Sequence, residues 1–308
     1  MTGLTHLRNL FGRGRREPAM SGTLAEVALA GLAGEPSPHP APLSPADPLS
    51  AWPAQRIALA EQLWGEGFLN PGGEDEVLRH AAPLGLSEAV SVLLLGVGAS
   101  GPPAALAREF GVWVSSFDAD AALVALAAER IQRSGAAVAK HATVQAWDPA
   151  SPCFRRRAFQ HVMAFDALRD APVDEVLSAL YQAIKPGGQL VLQELVADAP
   201  LDAAEPQTAA WCRLERRTPD LPAEAAITGT LAGLGFDVRV VEDQSSRHVG
   251  LVVQGWKGLI RTLQGEHPSH AYAAALVDEV ELWARRIGLM HAGRIRLMRW
   301  HAIAGGAR

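Results

Sequence analysis

Gly96-x-Gly98-x-x-Gly101 follows the apolar run Val92-Leu93-Leu94-Leu95, and two acids stand further along the chain at Asp118 and Asp148. Such a loop brings backbone close to a nucleoside-type ligand, and a side chain at Gly96 or Gly98 would fill the space the ligand takes. Asp118 closes the strand-like run Val112-Trp113-Val114-Ser115-Ser116-Phe117, 22 residues after Gly96. A carboxylate there can accept from both ribose hydroxyls; its alternative role is that of an acid at the N-terminus of the helix that follows. Asp148 can accept from an adenine amino group while Trp147 supplies an aromatic wall, the alternative being a loop acid beside a packed indole.

The loop spacing also fits a dinucleotide fingerprint. A dinucleotide sets its pyrophosphate on the free N–H groups of the helix that follows. Here that helix opens with Pro102 and Pro103, which have no N–H to give. A sulfonium cofactor has no phosphate and loses nothing at such a loop, although proline is also a good structural start for a helix.

These residues need a frame. The pattern from residue 51 onward alternates, with strands expected at 90–96, 112–118, 138–145, 159–165, 189–196 and 236–242. Helices are expected at 54–64, 102–110, 120–134, 172–185 and 222–234. Alternation of this kind predicts an α/β, Rossmann-like doubly wound, mostly parallel seven-stranded sheet with helices on both faces. Lys185-Pro186-Gly187-Gly188 suits a tight turn before a strand. Two helical patterns at about 245–291 then interrupt the alternation, and Ile295 to Ile303 reads as a last strand. They form a helical insertion before that strand, a cap on a domain spanning 51–308. Residues 1–50 are expected to be a largely disordered tail and linker, basic over its first 16 residues, and seven prolines between 36 and 53 separate it from the core. The basic start could touch an anionic membrane surface.

At this point the chain resembles the class I S-adenosylmethionine-dependent methyltransferases. Leu95-Gly96-Val97-Gly98, Phe117-Asp118, Trp147-Asp148, Phe159 to Met163 and Lys185 to Leu192 carry the likeness by their order and spacing. The resemblance implies S-adenosyl-L-methionine as cofactor. It places the cofactor's amino acid part on Gly96, Val97 and Gly98, the ribose on Asp118, and the adenine by Asp148. Further cofactor contacts are expected at Leu69, Asn70, Ala119, Trp147 and Phe165. A second likeness is narrower. Trp64 to Gly73 is similar to the lid segment before the core in phosphoethanolamine methyltransferases and related small-molecule enzymes. Three departures stand out. The family's acid two residues before the first loop glycine is Leu94 here, its third loop glycine is Ser100, and the subgroup's tyrosine and histidine are replaced by Ala60 and by Ala167-Leu168-Arg169-Asp170. That subgroup's substrate is therefore not carried over.

Methyl transfer asks a protein to align an acceptor and exclude water, with a base needed only for a protonated acceptor. Asp166 and Glu194 are the candidate bases, and each has a structural alternative. Arg285, Arg286, Arg294, Arg296 and Arg299 offer anion contacts near the cap. The expected function is methyl transfer to a small molecule, with no metal. Its rivals are a catalytically silent methyltransferase-like binding protein and a nicotinamide-dependent oxidoreductase. The bulk properties agree. A net charge of −5 over 308 residues gives no case for nucleic acid as partner. Two separated cysteines fit a reducing cytoplasm, and the Ala-, Arg- and Gly-rich composition is of the kind GC-rich bacterial genomes produce.

Overall fold

The computed structural model describes residues 52–263 and 269–305; the expectations for the first 50 residues lie outside them. Seven strands form one sheet: β1 (Ser91–Leu95), β2 (Trp113–Asp118), β3 (Ala142–Ala146), β4 (Phe159–Phe165), β5 (Ile184–Val196), β6 (Phe236–Asp243) and β7 (Arg296–Ala304). Their order is β3-β2-β1-β4-β5-β7-β6. β1 to β5 are parallel, and β7 runs antiparallel to both β5 and β6. This is the doubly wound sheet expected from the alternation.

Before the sheet come α1 (Ala54–Trp64) and α2 (Gly73–Ala81). Within it run α3 (Gly101–Phe110), α4 (Ala121–Arg133), α5 (Ala136–His141), α6 (Val173–Ala183), α7 (Pro206–Glu215) and α8 (Glu224–Leu234). Between β6 and β7 lie α9 (Ser245–Thr262) and α10 (His270–His291). β1 is apolar on both faces because both are covered. Leu94 packs with Met163 and Val191 in one core cluster, and Leu93 and Leu95 pack with Val162, Leu192 and Trp300 in the other. Pairing runs Leu95 with Phe117 on one side and Leu95 with Ala164 on the other, so β1, β2 and β4 end level. Strand order reverses around β1, and a ligand crevice in such sheets opens at the C-terminal ends beside that reversal.

The local expectations need three corrections. Residues 136–141 form a helix and β3 begins only at Ala142, because Ala136-Ala137-Val138-Ala139 favours helix once Gly135 breaks the chain. Ile184 already pairs with Phe159, residues 185–188 bulge out, and the ladder resumes at His161 with Gln189, so the expected turn lies inside a strand. α2 and α7 were not expected. α2 is nine residues long and mostly charged, and α7 buries only Thr208, Trp211 and Glu215.

Candidate functional site

The glycine loop after β1 is shaped by its own protein neighbours. Gly96 has φ +89°, and a Cβ there would lie 2.7 Å from the Phe165 carbonyl oxygen. At Gly98 a Cβ would lie 3.0 Å from the Gly67 carbonyl oxygen. Backbone of β4 and of the 65–72 segment thus bars a side chain at both positions, a requirement for glycine additional to the ligand approach expected from the sequence. Ser100, standing where the family has a third glycine, adopts φ +104°. The backbone keeps the glycine geometry although the residue has changed.

Gly67 locks the start of α3. Its carbonyl accepts from the N–H of Ala99 and of Gly101, both at 2.9 Å, and its own N–H donates to Glu61 Oε1 at 2.8 Å. Arg130 pairs with Glu61 and also donates to the Ala99 carbonyl, at 3.2 Å. Ser100 N–H turns back to Val97, and Pro102 and Pro103 have none. Every N–H donor that a pyrophosphate would need at this helix start is thus absent or occupied.

Asp118 faces the loop. Oδ2 accepts from Val97 N–H at 3.2 Å and Oδ1 from Asp120 N–H at 3.0 Å. The helix-capping alternative falls to Asp120, which accepts from Ala122 and Leu123 at the start of α4. Burial pushes the Asp118 carboxyl up to about 6. Each oxygen keeps one further lone-pair direction, enough for two hydroxyl donors. Trp147 N–H donates to the Asp118 carbonyl at 3.1 Å. Its ring lies 5.7 Å from Phe154, which also meets Phe117 edge-on at 5.1 Å. Phe154 is an aromatic neighbour that spacing alone did not point to. Asp148 is exposed beside this cluster and accepts from Ala150 N–H at 2.9 Å. Ala119 is exposed at the same rim, and Leu69 is buried with its N–H side against Gly98.

A polar cavity lies next to this crevice, beneath α9 and α10. Asn70, Phe165, Asp166, Gln193, His248 and Arg286 are among its walls. Asp166 has φ +52°, accepts from Arg169 Nε at 2.6 Å and leaves Oδ1 without a hydrogen bond. Glu194 does not face the cavity wall formed by its neighbours Gln193 and Leu195. It accepts from Ala167 and Leu168 N–H at 2.5 and 3.0 Å, holding the turn after Asp166. Burial and the Asp166 charge push Glu194 well up, against those two donors. Glu215 from the end of α7 bonds Arg169 at 3.1 Å and Arg286 at 3.3 Å, and accepts from the Trp211 indole. Arg286, Arg169 and Arg217 overcome burial and hold Glu215 down to about 2.

Of the five arginines expected near the cap, Arg286 alone lines this cavity. Arg285 pairs with Glu281, Arg296 with Asp198 and Glu224, and Arg299 with Glu242; nothing places Arg294 at the site. Arg169, Arg217, Glu215, Gln193 and His248 were missed. The charged run Glu215-Arg216-Arg217 was visible in the sequence, but the burial of Glu215 was not. Ala60 and Leu94 are fully buried in the core, so neither position offers the polar group the family carries there. Among the described residues no cluster could hold a metal ion and no helix is long and apolar enough to cross a membrane.

Sheet order, glycine loop and the acid ending β2 define the class I methyltransferase fold. The comparisons with known proteins agree. No family model matches the chain. Phosphoethanolamine N-methyltransferase 2 of Caenorhabditis elegans is 30% identical over 138 residues, which is 44% of this chain but 31% of that relative. The match thus spans about a third of the curated relative's length. Haemonchus contortus phosphoethanolamine N-methyltransferase 2, solved with S-adenosyl-L-methionine, superposes with a TM-score of 0.70 at 21% identity, covering 81% of this chain and 57% of that one. A 4+2 cyclase, SpnF, superposes with a TM-score of 0.62 at 18% identity, covering 82% and 93%. The fold is therefore shared with proteins named for different reactions, and activity must be argued from the site.

Proposed function

We propose that this protein transfers a methyl group from S-adenosyl-L-methionine to a small acceptor that carries an anionic group. The observation that carries the reading is Asp118. A buried carboxylate with two unused lone-pair directions faces the glycine loop, beside a helix start whose donors Gly67 has taken. That combination favours a ribose without a pyrophosphate and argues against a nicotinamide dinucleotide. Gly96, Val97, Gly98, Leu69 and Asn70 would hold the cofactor's amino acid end, Asp118 the ribose, and Trp147, Asp148 and Ala119 the adenine side, with Phe165 as floor.

When bound, the cofactor supplies an already activated methyl group. The protein's own residues then orient the acceptor. Arg286, which lines the cavity and whose buried Nε lacks a hydrogen-bond partner, would receive the acceptor's anion. Asp166 Oδ1 would take up the proton of an ammonium-type acceptor. α9 and α10 keep water out. An amine bearing a phosphate or carboxylate, such as the phosphoethanolamine named for the relatives, has this shape. We place the reaction in a reducing cytoplasm, supported by two cysteines without a disulfide.

The silent-protein reading has one observation in its favour: Leu94 leaves the cofactor's ammonium end without the family's carboxylate. Two measurements separate the readings. Calorimetric titration with S-adenosylhomocysteine and NAD should show the first binding and the second not. Incubation with S-adenosylmethionine and phosphoethanolamine or sarcosine should yield S-adenosylhomocysteine by mass spectrometry. Cofactor binding without turnover on an anionic amine supports the silent protein, and tight NAD binding overturns both.

A further inference from the structure

The cavity beneath α9 and α10 holds two buried nitrogens that nothing in the protein satisfies. His248 Nε2, on α9, has no hydrogen-bond partner, and neither has Arg286 Nε on α10. Both side chains line the cavity. They also share a support: the His248 ring lies 5.7 Å from the Trp283 ring, and the Arg286 guanidinium carbon lies 5.2 Å from it. Trp283 is itself fixed, with its indole N–H donating to Glu279 at 2.9 Å and its ring meeting Trp64 edge-on at 5.6 Å. Trp64 leads directly into the 65–72 segment that locks the glycine loop.

A buried polar nitrogen left unpaired costs about 1–3 kcal/mol. Two of them, on side chains that line one cavity, make a place for a ligand. The charges facing His248 are Arg286 from α10, Glu215 from α7 and Glu76 from α2. Glu215 is engaged with Arg169 and Arg286, and Glu76 with Arg79 and Arg247. Burial first, then Arg286, holds the imidazole down to about 3, so it is neutral near pH 7. A cation is repelled by Arg286. An anion seated between the two residues accepts from Arg286 Nε–H and adds a negative charge beside the imidazole.

We propose that His248 and Arg286 together grip the acceptor's anionic group, and that His248 takes a proton from solvent as that group arrives. The step is a proton transfer alone: one N–H bond forms on the imidazole, and the solvent or buffer gives up the proton. This makes His248 a specificity-determining residue of the acceptor site, and it rests on the methyl-transfer reading of that site.

The test is calorimetry of phosphoethanolamine binding to the full chain saturated with S-adenosylhomocysteine. It is run near pH 7 in two buffers of different ionisation enthalpy, with wild type and His248→Gln. The difference in proton uptake between the two proteins isolates His248 from the ligand's own phosphate. The expected result is about one more proton taken up by wild type, and roughly tenfold weaker binding by the variant. His248→Phe, which keeps a ring on Trp283, replaces the glutamine variant if that one does not fold. Equal uptake and equal affinity in wild type and variant overturn the proposal. So does an absence of phosphoethanolamine binding to the saturated protein. If S-adenosylhomocysteine itself does not bind, the methyl-transfer reading fails, and phosphoethanolamine titrated into the free protein still decides the role of His248 by the same comparison.

Discussion

Replacing Asp118 by asparagine should weaken S-adenosylhomocysteine binding and remove the pH dependence that this carboxyl gives to the free protein's stability. The carboxyl is pushed from its ordinary 3.8 to about 6 by burial. That shift of about two units sets an upper bound of about 3 kcal/mol on the burden of the charged form. The sign follows from proton counting. Between about pH 4 and about pH 6 the native state holds a proton that the unfolded chain has lost, so native stability falls as pH rises through that window and stays lower above it. Asparagine carries no charge and removes this fall. Ligand binding moves the other way, because hydrogen bonds to a charged acceptor are worth about 1.5–3 kcal/mol, roughly a 10- to 150-fold loss of affinity. Wild-type binding should also weaken by up to about tenfold per unit below about pH 6 as the carboxylate protonates, while the variant stays flat. Calorimetry at about pH 7.5 and about pH 5.5 with thermal unfolding of the free proteins reads both effects. A variant that binds like wild type, or one whose binding weakens below about pH 6 as wild type's does, would refute the reasoning.

Three further outcomes follow from the geometry. Glu215→Gln leaves Arg169, Arg217 and Arg286 around an uncharged group, and breaking a buried pair of this kind costs about 3–5 kcal/mol; thermal unfolding should show a fall on the order of 10 °C, and a loss under 2 °C would mean the cluster is solvent-compensated. Because Glu215 is held down to about 2, its contribution is present above its ordinary 4.5 and should fade as pH falls from about 4.5 toward about 2. Ser100→Gly relieves a side chain held at φ +104°, and should raise stability by about 1 kcal/mol; an unchanged or lower melting point would show that the serine side chain offsets the strain. Gly67 holds the Ala99 and Gly101 amides, so both should exchange slowly without ligand, and bound S-adenosylhomocysteine should add protection across 64–73; rapid exchange of Ala99 and Gly101 in the free protein would contradict the lock.

The elements that carry the sheet were legible because each repeats one physical rule. Apolar runs of strand length followed by amphipathic helices give parallel order, and the acid closing β2 stands where the backbone turns back toward the first loop. What escaped was of a different kind. Residues 136–141 are apolar enough for a strand and alanine-rich enough for a helix, and only the pairing of Ala142 with Val114 shows where β3 starts. The arginines of the C-terminal third looked alike in sequence. Partners up to 98 positions away, such as Asp198 for Arg296, settle which are surface pairs and which face the cavity. Gly96 and Gly98 were read as room for a ligand, and the backbone of Phe165 and Gly67 that also demands glycine there could not be read from the sequence. The common cause is that a close approach of two chain segments leaves no local trace in either. That same property locates the chemistry. The proposed cofactor side of the crevice is made by consecutive strand ends, whose spacing can be read along the chain. The proposed acceptor side joins Asp166 after β4, Gln193 on β5, His248 on α9 and Arg286 on α10, residues that only folding brings together. If the proposed assignment holds, substitutions on the cap should retune acceptor choice and leave cofactor binding unchanged, because the two sides draw on different elements.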